Sequence, residues 1–390
     1  MRVMHIITRM IIGGAQENTL FNCLDLMQQY GDDVLLVTGP EQGPEGGLLQ
    51  EGRAGGLNIE TLPSLRRNIK PLPDLLAYRQ LKKLITSFRP DVVHTHSAKA
   101  GLLGRAAAWS SKVPVVVHTV HGAPFHRYQS IPARQFFIAC ERWAAQRCHH
   151  LVSVADAMTD LMVNAGVARR EKFTTIYSGM KVEPFQHARE FRSAARAELG
   201  IADHCVVLGK IARLFPLKGH EYLIDAAERV ISQAPDCRFL LVGDGILRSE
   251  LERQIAQRGL TKHFIFAGLV QPERIPYYLG AMDVLVHTSL REGLARTLPQ
   301  ALIAGVPVIS YDVDGAREVV LPGKTGYLLK PQAIGQLSEA MLELVGNAEL
   351  RAELGQGGAA RFTEQFRHQT MTRRIRELYQ QLTAQLTVGS

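Results

Sequence analysis

The feature that most constrains this chain is a rhythm. Short runs of β-branched and aliphatic residues recur, each followed by a stretch of helical character, and the pattern fills both halves of the sequence. VMHIIT precedes AQENTLFNCLDLMQQY, DVVHTH precedes AKAGLLGRAAAWS, then come VVVHTV and HLVSVA, the last ahead of DAMTDLMVNAG. Short apolar runs without period-two polarity suit strands covered on both faces, and their alternation with helices implies a parallel sheet. The second half repeats the rhythm with VVLGKIARL, FLLVGDG, FIFAGLV, DVLVHTS and VPVISYD. The expectation is an α/β chain with two parallel-sheet, Rossmann-like domains, and 390 residues supply enough material for both.

Between the halves, Ile176 to Ile201 carries Gly, Pro and charge but no strand candidate, which predicts the connection, with a hinge near residues 180–200. The domain limits read from this are 1–182 and 183–365. After Leu329 the pattern is amphipathic helix, with a glycine break predicted at Gly355–Gly358 and a last helix, residues 366–390, expected to cross back onto the first domain.

No apolar run reaches the roughly 18–20 residues of a membrane helix, and Arg9 splits the N-terminal run. Neither a spanning helix nor a cleavable leader is expected, and the predicted location is the cytoplasm. Five scattered cysteines, Cys23, Cys140, Cys148, Cys205 and Cys237, form no C-x-x-C pair, so reduced thiols are expected rather than a disulfide framework or a structural zinc site. The net charge of +8 is uneven: residues 61–150 hold 14 Lys and Arg against Asp74, Asp91 and Glu141, a local +11. Such a surface attracts phosphates of a membrane leaflet, a nucleic acid or an anionic substrate. Within it, Arg79, Lys82, Lys83 and Arg89 share a helical stretch with Leu75, Leu76, Leu81, Ile85 and Phe88. One face of that helix is expected to be apolar and another cationic, which suits either a surface helix of the first domain or peripheral attachment to anionic lipid.

Chemistry is expected at strand ends, because ligands of open α/β sheets bind outside the carboxyl ends of strands. Gly13 and Gly14 follow the first strand and precede a helix, where bare amides face an anion. The spacing is not G-x-G-x-x-G, and no acidic residue closes a second strand, so a dinucleotide site is not expected. His94 and His96 end one strand, and His118 and His121 end the next. Four imidazoles near one edge raise the question of a metal, but no carboxylate completes a shell and none is expected. His121 before Gly122 is placed to bond a sugar hydroxyl. Arg213 ends a strand and Lys218-Gly219 opens a helix, a guanidinium fork and a mobile ammonium that together match a diphosphate. Asp312 and Asp314 form a D-x-D that is weighed as a magnesium site and set aside, since such spacing is common by chance. In the segment from Ser289 to Ala301, Glu292 follows a strand and precedes a helix that carries Pro299 near its start.

These motifs in this order, GGAQ, PDVVHTHSAKAGLLGRAAA, HTVHG, IYSGM, GKIARLFPLKGHEYLIDA, LLVGDG, FAGLV, SLREGLARTLPQALIAGVPVI and GAREVV, resemble the family 4 retaining glycosyltransferases of the GT-B fold over nearly the whole chain. The resemblance implies two Rossmann-like domains with parallel sheets facing across a cleft, the first binding acceptor and the second a nucleotide sugar, with the C-terminal helix returning to the first. It implies transfer of a sugar from a nucleoside-diphosphate sugar, with UDP favoured and GDP or ADP as alternatives, to an acceptor hydroxyl on a polyprenyl-diphosphate-linked or lipopolysaccharide-type glycan. No metal or other cofactor is implied. By position, Gly13, Gly14 and His96 fall in the substrate site and His121 binds the transferred sugar. Arg213 and Lys218 hold the diphosphate, and Gly268, Leu269 and Val270 line the base. Glu292 faces the donor sugar, with Gly293, Leu294, Ala295, Arg296 and Thr297 forming the adjoining loop. The family's second Glu, which accepts from ribose hydroxyls, is Gln300 here. An amide oxygen still accepts such a bond, so a modest loss of nucleotide affinity is implied rather than a loss of activity.

Three other functions fit parts of the pattern. A sugar-nucleotide epimerase on the same fold needs added acid and base groups. A non-catalytic sugar-binding protein has no use for Arg213 and Lys218. Nucleic-acid binding is not expected, because no aromatic platform interleaves the basic window.

Overall fold

The computed structural model describes residues 1–41 and 47–388. The chain forms two units, Met1–Met180 with Phe366–Ser390, and Lys181–Gln365. The first is built on seven strands: β1 (Arg2–Ile7), β2 (Asp33–Thr38), β3 (Asn58–Thr61), β4 (Val92–His96), β5 (Val115–Val120), β6 (His150–Ser153) and β7 (Phe173–Thr175). They lie in the order β3-β2-β1-β4-β5-β6-β7, every neighbour parallel. β4 and β5 are buried along their whole length, the condition in which apolar runs show no alternation. On one face Val3, Ile7, Leu36, Val92 and Val117 pack against Leu20 and Leu26 of the helix Gly14–Tyr30 and against Met371, Ile375 and Leu378 of the last helix, His368–Val388.

That last helix does return to the first unit, and polar contacts fix its register. Asp25, buried on the first helix, accepts from the Thr372 hydroxyl at 2.9 Å and pairs with His368 Nδ1 at 2.8 Å, while Arg376 donates to Asp32 at 3.0 Å. A buried carboxyl group is costly unless its hydrogen bonds are supplied, so these contacts also select the partner.

The second unit has six parallel strands: β8 (Val207–Ile211), β9 (Arg238–Val242), β10 (Phe264–Gly268), β11 (Val284–His287), β12 (Val308–Tyr311) and β13 (Gly326–Leu329), in the order β10-β9-β8-β11-β12-β13. In both sheets the strand order reverses direction beside the first strand, between β1 and β4 and between β8 and β11. These are the switch points where loops diverge and leave a crevice at the carboxyl edge.

The connection expected here is helical, and its short helices Glu183–Gln186 and Arg192–Glu198 form part of the second unit, which runs from Lys181 to Gln365. Arg196 explains why: its buried guanidinium meets Asp283 at 2.6 Å and the Cys205 carbonyl at 2.9 Å, and Asp283 also accepts from the Val207 amide at 2.7 Å. Part of the charge in this stretch is thus a buried ion pair with a partner 87 residues away. One expectation needs correction: the glycines at 355–358 do not break a helix, since Ala348–Phe362 runs through them. A Cβ on Gly355 would stand 2.2 Å from the Gly305 carbonyl oxygen, so glycine is there to let the helix approach another backbone.

Gly355→Ala therefore sets two effects in opposition. Helix propensity favours alanine by about 1 kcal/mol, whereas overpacking against a backbone atom costs about 1–3 kcal/mol. The expected outcome is a net loss of stability, read as a lower calorimetric transition temperature; an unchanged or raised transition would contradict the packing role.

Candidate active site

In the second unit the switch point gathers charge. Lys218 follows β8 and Glu292 follows β11, and Lys218 Nζ lies 2.6 Å from Glu292 Oε1. His287, the last residue of β11, places Nε2 3.6 Å from the same oxygen. The turn that presents Glu292 is held from behind: its backbone amide donates to Asp314 Oδ2 at 2.6 Å, and the Gly315 amide donates to the Gly293 carbonyl at 3.0 Å. Asp314 does this from φ +47°, a region that Asp tolerates better than most residues. Asp312 forms a fork with Arg317 at 2.6 and 2.9 Å, so the two carboxylates of the D-x-D are engaged separately, one structuring the Glu292 turn and the other an arginine.

Beneath the ion pair, Gly219 caps the helix His220–Gln233 at φ +68°. A Cβ there would stand 2.0 Å from the Thr288 carbonyl oxygen, so both conformation and contact require glycine. The Thr288 hydroxyl donates to the Gly219 carbonyl at 2.5 Å and accepts from Lys210 Nζ at 2.8 Å. The helix start, with its exposed amides and partial positive charge, is thereby locked to the end of β11.

The electrostatics follow from these contacts. Burial acts against the charged form of Glu292, but the His287 imidazole beside it and the charge and hydrogen bond of Lys218 override it and hold the carboxyl well below its usual range. Burial pushes the His287 imidazole down, with Glu292 opposing the shift. Because the carboxyl of Glu292 is depressed in the folded state, its contribution to stability is present above the ordinary carboxylate range and is lost as pH falls through its folded value.

The other expected residues of this unit follow β8, β10 and β11. The Arg213 side chain is exposed and its guanidinium stacks 5.0 Å from the Phe215 ring, while its carbonyl accepts from His220 at 3.1 Å. Gly268, Leu269 and Val270 leave β10 at the sheet's edge, with Leu269 largely exposed. Leu294, Ala295 and Arg296 lead into the helix Thr297–Ile303, which carries Gln300, half-buried, in its first turns.

In the first unit the switch point is lined by imidazoles. Gly13 and Gly14 follow β1, where Gly13 caps the first helix. His5 on β1 and His94 on β4 are paired in register, and His96 lies on the same face two residues on. His5 Nδ1 meets His96 Nε2 at 3.0 Å, and His96 Nδ1 meets His121 Nε2 at 3.0 Å, a chain of three rings reaching from the sheet to the loop after β5. His94 bonds Tyr379 of the last helix and, at 2.6 Å, Thr119; His118 turns to Thr95 at 2.9 Å. Burial pushes His5 down to about 3 and His94, His96 and His118 well below their ordinary value, with neighbouring charges adding to the last three. These rings are therefore neutral. Ligand atoms of His5, His94 and His96 come within 4.8 Å of one another, but both nitrogens of His94 and of His96 already hold hydrogen bonds. Only His5 Nε2 is without a partner, so a metal would have to displace existing bonds. All five cysteines are free thiols, four of them buried.

Sequence reasoning brings out Lys218 and Glu292 but not that they pair. It misses His287, Lys210 and His5, and assigns Asp314 only to a discounted metal site. The histidine at the carboxyl end of β11 was a usable signal; the buried lysine, inside an apolar run, was not.

Parallel sheets with crevices at their switch points, one lined by cations and a helix start, define a class of proteins that bind phosphorylated ligands. Residues 14–179 match the glycosyl transferase 4-like domain model, and residues 191–361 match the model for glycosyl transferases group 1. The chain belongs to the family 4-type glycosyltransferases. It is 28% identical to the Escherichia coli UDP-Gal:alpha-D-GlcNAc-diphosphoundecaprenol alpha-1,3-galactosyltransferase, over 90% of this chain and 89% of that protein. It is also 28% identical to the putative glycosyltransferase EpsD of Bacillus subtilis, over 77% of this chain and 80% of that one. Among solved structures, Anabaena HepE in complex with UDP superposes with a TM-score of 0.81 at 23% identity, covering 98% of this chain and 100% of that chain, which shows the GT-B fold.

Asp314→Ala should remove the acceptor from the Glu292 amide and cost about 1.5–3 kcal/mol, the range for a hydrogen bond to a charged group. Asp314→Asn, which keeps an oxygen and tolerates the backbone conformation, should recover most of it. Urea unfolding of the three proteins checks this, and equal midpoints would exclude the bracing role.

Proposed function

We propose that this protein is a retaining glycosyltransferase that moves a sugar from a UDP-sugar to a hydroxyl of a polyprenyl-diphosphate-linked or lipopolysaccharide-type glycan. The observation that carries this reading is the meeting of Lys218, Glu292 and the Gly219 helix start at the β8/β11 switch point. An anionic diphosphate with a neutral sugar attached needs cations and amides for one part and a hydroxyl acceptor for the other. Glu292, ionised and braced by Asp314, accepts from sugar hydroxyls. Lys218, Arg213 and the helix amides take the phosphate oxygens and stabilise charge as the diphosphate departs, which is electrostatic preorganisation.

The chemistry balances without a protein nucleophile. The bond from the sugar's anomeric carbon to the diphosphate breaks, a bond to the acceptor oxygen forms on the same face, and the acceptor's proton passes to the departing phosphate oxygen. No metal is assigned to this step, because Arg213 and Lys218 supply the cationic charge. Gln300 accepts from a ribose hydroxyl through its amide oxygen, and Gly268, Leu269 and Val270 serve the base. In the first unit, His121 bonds a sugar hydroxyl, with His96 behind it, and Gly13 and Gly14 offer backbone amides.

The donor and acceptor assignments draw support from the Escherichia coli relative, whose name gives UDP-galactose and a diphosphoundecaprenol-linked GlcNAc. Such an acceptor sits in a membrane. No helix among the described residues is long and apolar enough to cross one, so contact is assigned to the surface of the first unit. The helix Pro71–Phe88 buries Leu81 and Ile85 in the unit's interior, as a surface helix of the first domain does. It and the residues just before it expose Ile69, Leu72 at 80% and Leu76, with Arg66, Arg67, Lys70 and Arg79 exposed in the same stretch, and the helix Ile131–Ala145 exposes Ile131 at 76% and Phe136. Protruding aliphatics with cations around them suit an anionic leaflet.

Two measurements test the proposal. UDP should raise the thermal transition more than GDP or ADP, and Arg213→Ala with Lys218→Ala should abolish transfer while the free protein keeps its fold; unchanged turnover would reject the assigned pocket. Vesicle flotation should recover the protein with phosphatidylglycerol but not with phosphatidylcholine alone, and Leu72→Ser with Leu76→Ser should weaken recovery. Equal recovery on both lipids would reject an electrostatic attachment.

A further inference from the structure

Lys210 is the one lysine among the largest fully buried side chains of the chain. It lies within β8, next to the assigned diphosphate pocket, and the proposed function gives it no task. Its strand neighbour across β9 is Leu241, which offers no charge. Among the described residues its ammonium has one hydrogen-bond partner, the Thr288 hydroxyl, and no carboxylate at ion-pairing distance. The charged and titratable groups that face it come from three directions. The loop and helix after β8 bring Lys218, His220 and Glu221; the end of β11 brings His287; and the loop beyond it brings Glu292. Glu292 is already paired with Lys218, and His287 and His220 are pushed down by burial, His220 to about 3, so both are neutral. A second cation is thus kept in the wall of an anion pocket with no anion of its own.

We propose that Lys210 is a hidden cation of the donor pocket that takes up a proton from solvent when a nucleoside diphosphate binds. A buried amine that lacks a counter-ion loses its proton easily. Here burial, with the repulsion of Lys218 added, pushes the ammonium down from 10.5 to about 7, so in the free protein at pH 8 most of it is the neutral amine. A diphosphate brings the counter-ion that the fold does not supply. Its field restores the ordinary preference for the ammonium, and the proton comes from buffer. Thr288 serves both states, since its hydroxyl accepts from the amine as well as from the ammonium while it keeps donating to Gly219. Because the bound state holds the proton more tightly than the free state, affinity is fully present below the free value near 7 and declines as pH rises toward the bound value.

The inference rests on the proposed donor reading, and one experiment separates their failures. UDP is titrated calorimetrically into the full-length protein at pH 8 in HEPES, Tricine and Tris, whose ionisation enthalpies differ. At that pH the terminal phosphate, with a pKa of about 6, is already ionised and contributes no proton. The slope of observed heat against buffer enthalpy should show uptake of close to one proton per UDP, about 0.9 for a group at 7. Lys210→Met should bind UDP with no uptake, and Lys210→Arg, which is always charged, should also show none while keeping its affinity flat between pH 7 and 9. Wild-type affinity should fall on the order of 25- to 50-fold over that interval, the drop that uptake of about 0.9 proton at pH 8 entails. A zero slope in wild type, or uptake that persists in Lys210→Met, overturns the inference and leaves the donor site standing. Failure of UDP to bind wild type at all overturns both. Should Lys210→Met not fold, the wild-type slope and the Lys210→Arg profile still decide.

Discussion

The contact between Lys218 and Glu292 is the constraint on which the second unit's chemistry depends. It joins the loop after β8 to the loop after β11, and these strands are neighbours only because the sheet reverses direction there. Bringing two ions into a half-buried place carries a desolvation cost, and a pair survives it when further hydrogen bonds complete the shell. His287 and Lys218 serve the carboxylate side chain, Asp314 serves the amide of the same residue, and Gly219 lets the helix start come within reach of Thr288. The supports come from three strand ends, those of β8, β11 and β12, so the site is a property of the sheet rather than of any one loop.

The first unit repeats the topology with the opposite electrical character. Its switch point between β1 and β4 is lined by imidazoles that burial keeps neutral, and they bond one another and the last helix rather than ions. Neutral rings give and accept single hydrogen bonds, which suits hydroxyl groups, whereas the cations of the second unit suit phosphate. Similar strand orders thus carry two kinds of chemical lining, and the side chains at the strand ends decide which.

Much of this was legible from local pattern. Apolar runs without alternation reported strands buried on both faces, and charged residues just past those runs reported the crevices. Short strands such as β3, β7 and β13, with three or four residues each, lacked the length to stand out. Contacts remote in sequence were out of reach: Arg196 reads as a surface charge until Asp283 is seen beside it, and Gly355 reads as a helix breaker until Gly305 is. The same holds within the site. Glu292 was legible as a residue after a strand, but its brace, Asp314, is 22 positions away and belongs to a motif whose usual meaning is different. Lys210 looks like any strand residue, and only burial on every side distinguishes it.

The return of the last helix to the first unit has a consequence for how the molecule is made. Asp25 and Asp32 lie near the start of the chain, yet His368, Thr372 and Arg376, which neutralise or bond them, are translated some three hundred residues later. The early lobe therefore leaves the ribosome with Asp25 lacking its last-helix partners, Asp32 held by the Met1 ammonium without Arg376, and an aliphatic flank uncovered, and the entire later lobe must be made before the missing piece is supplied. The half that emerges first is the half that is finished last.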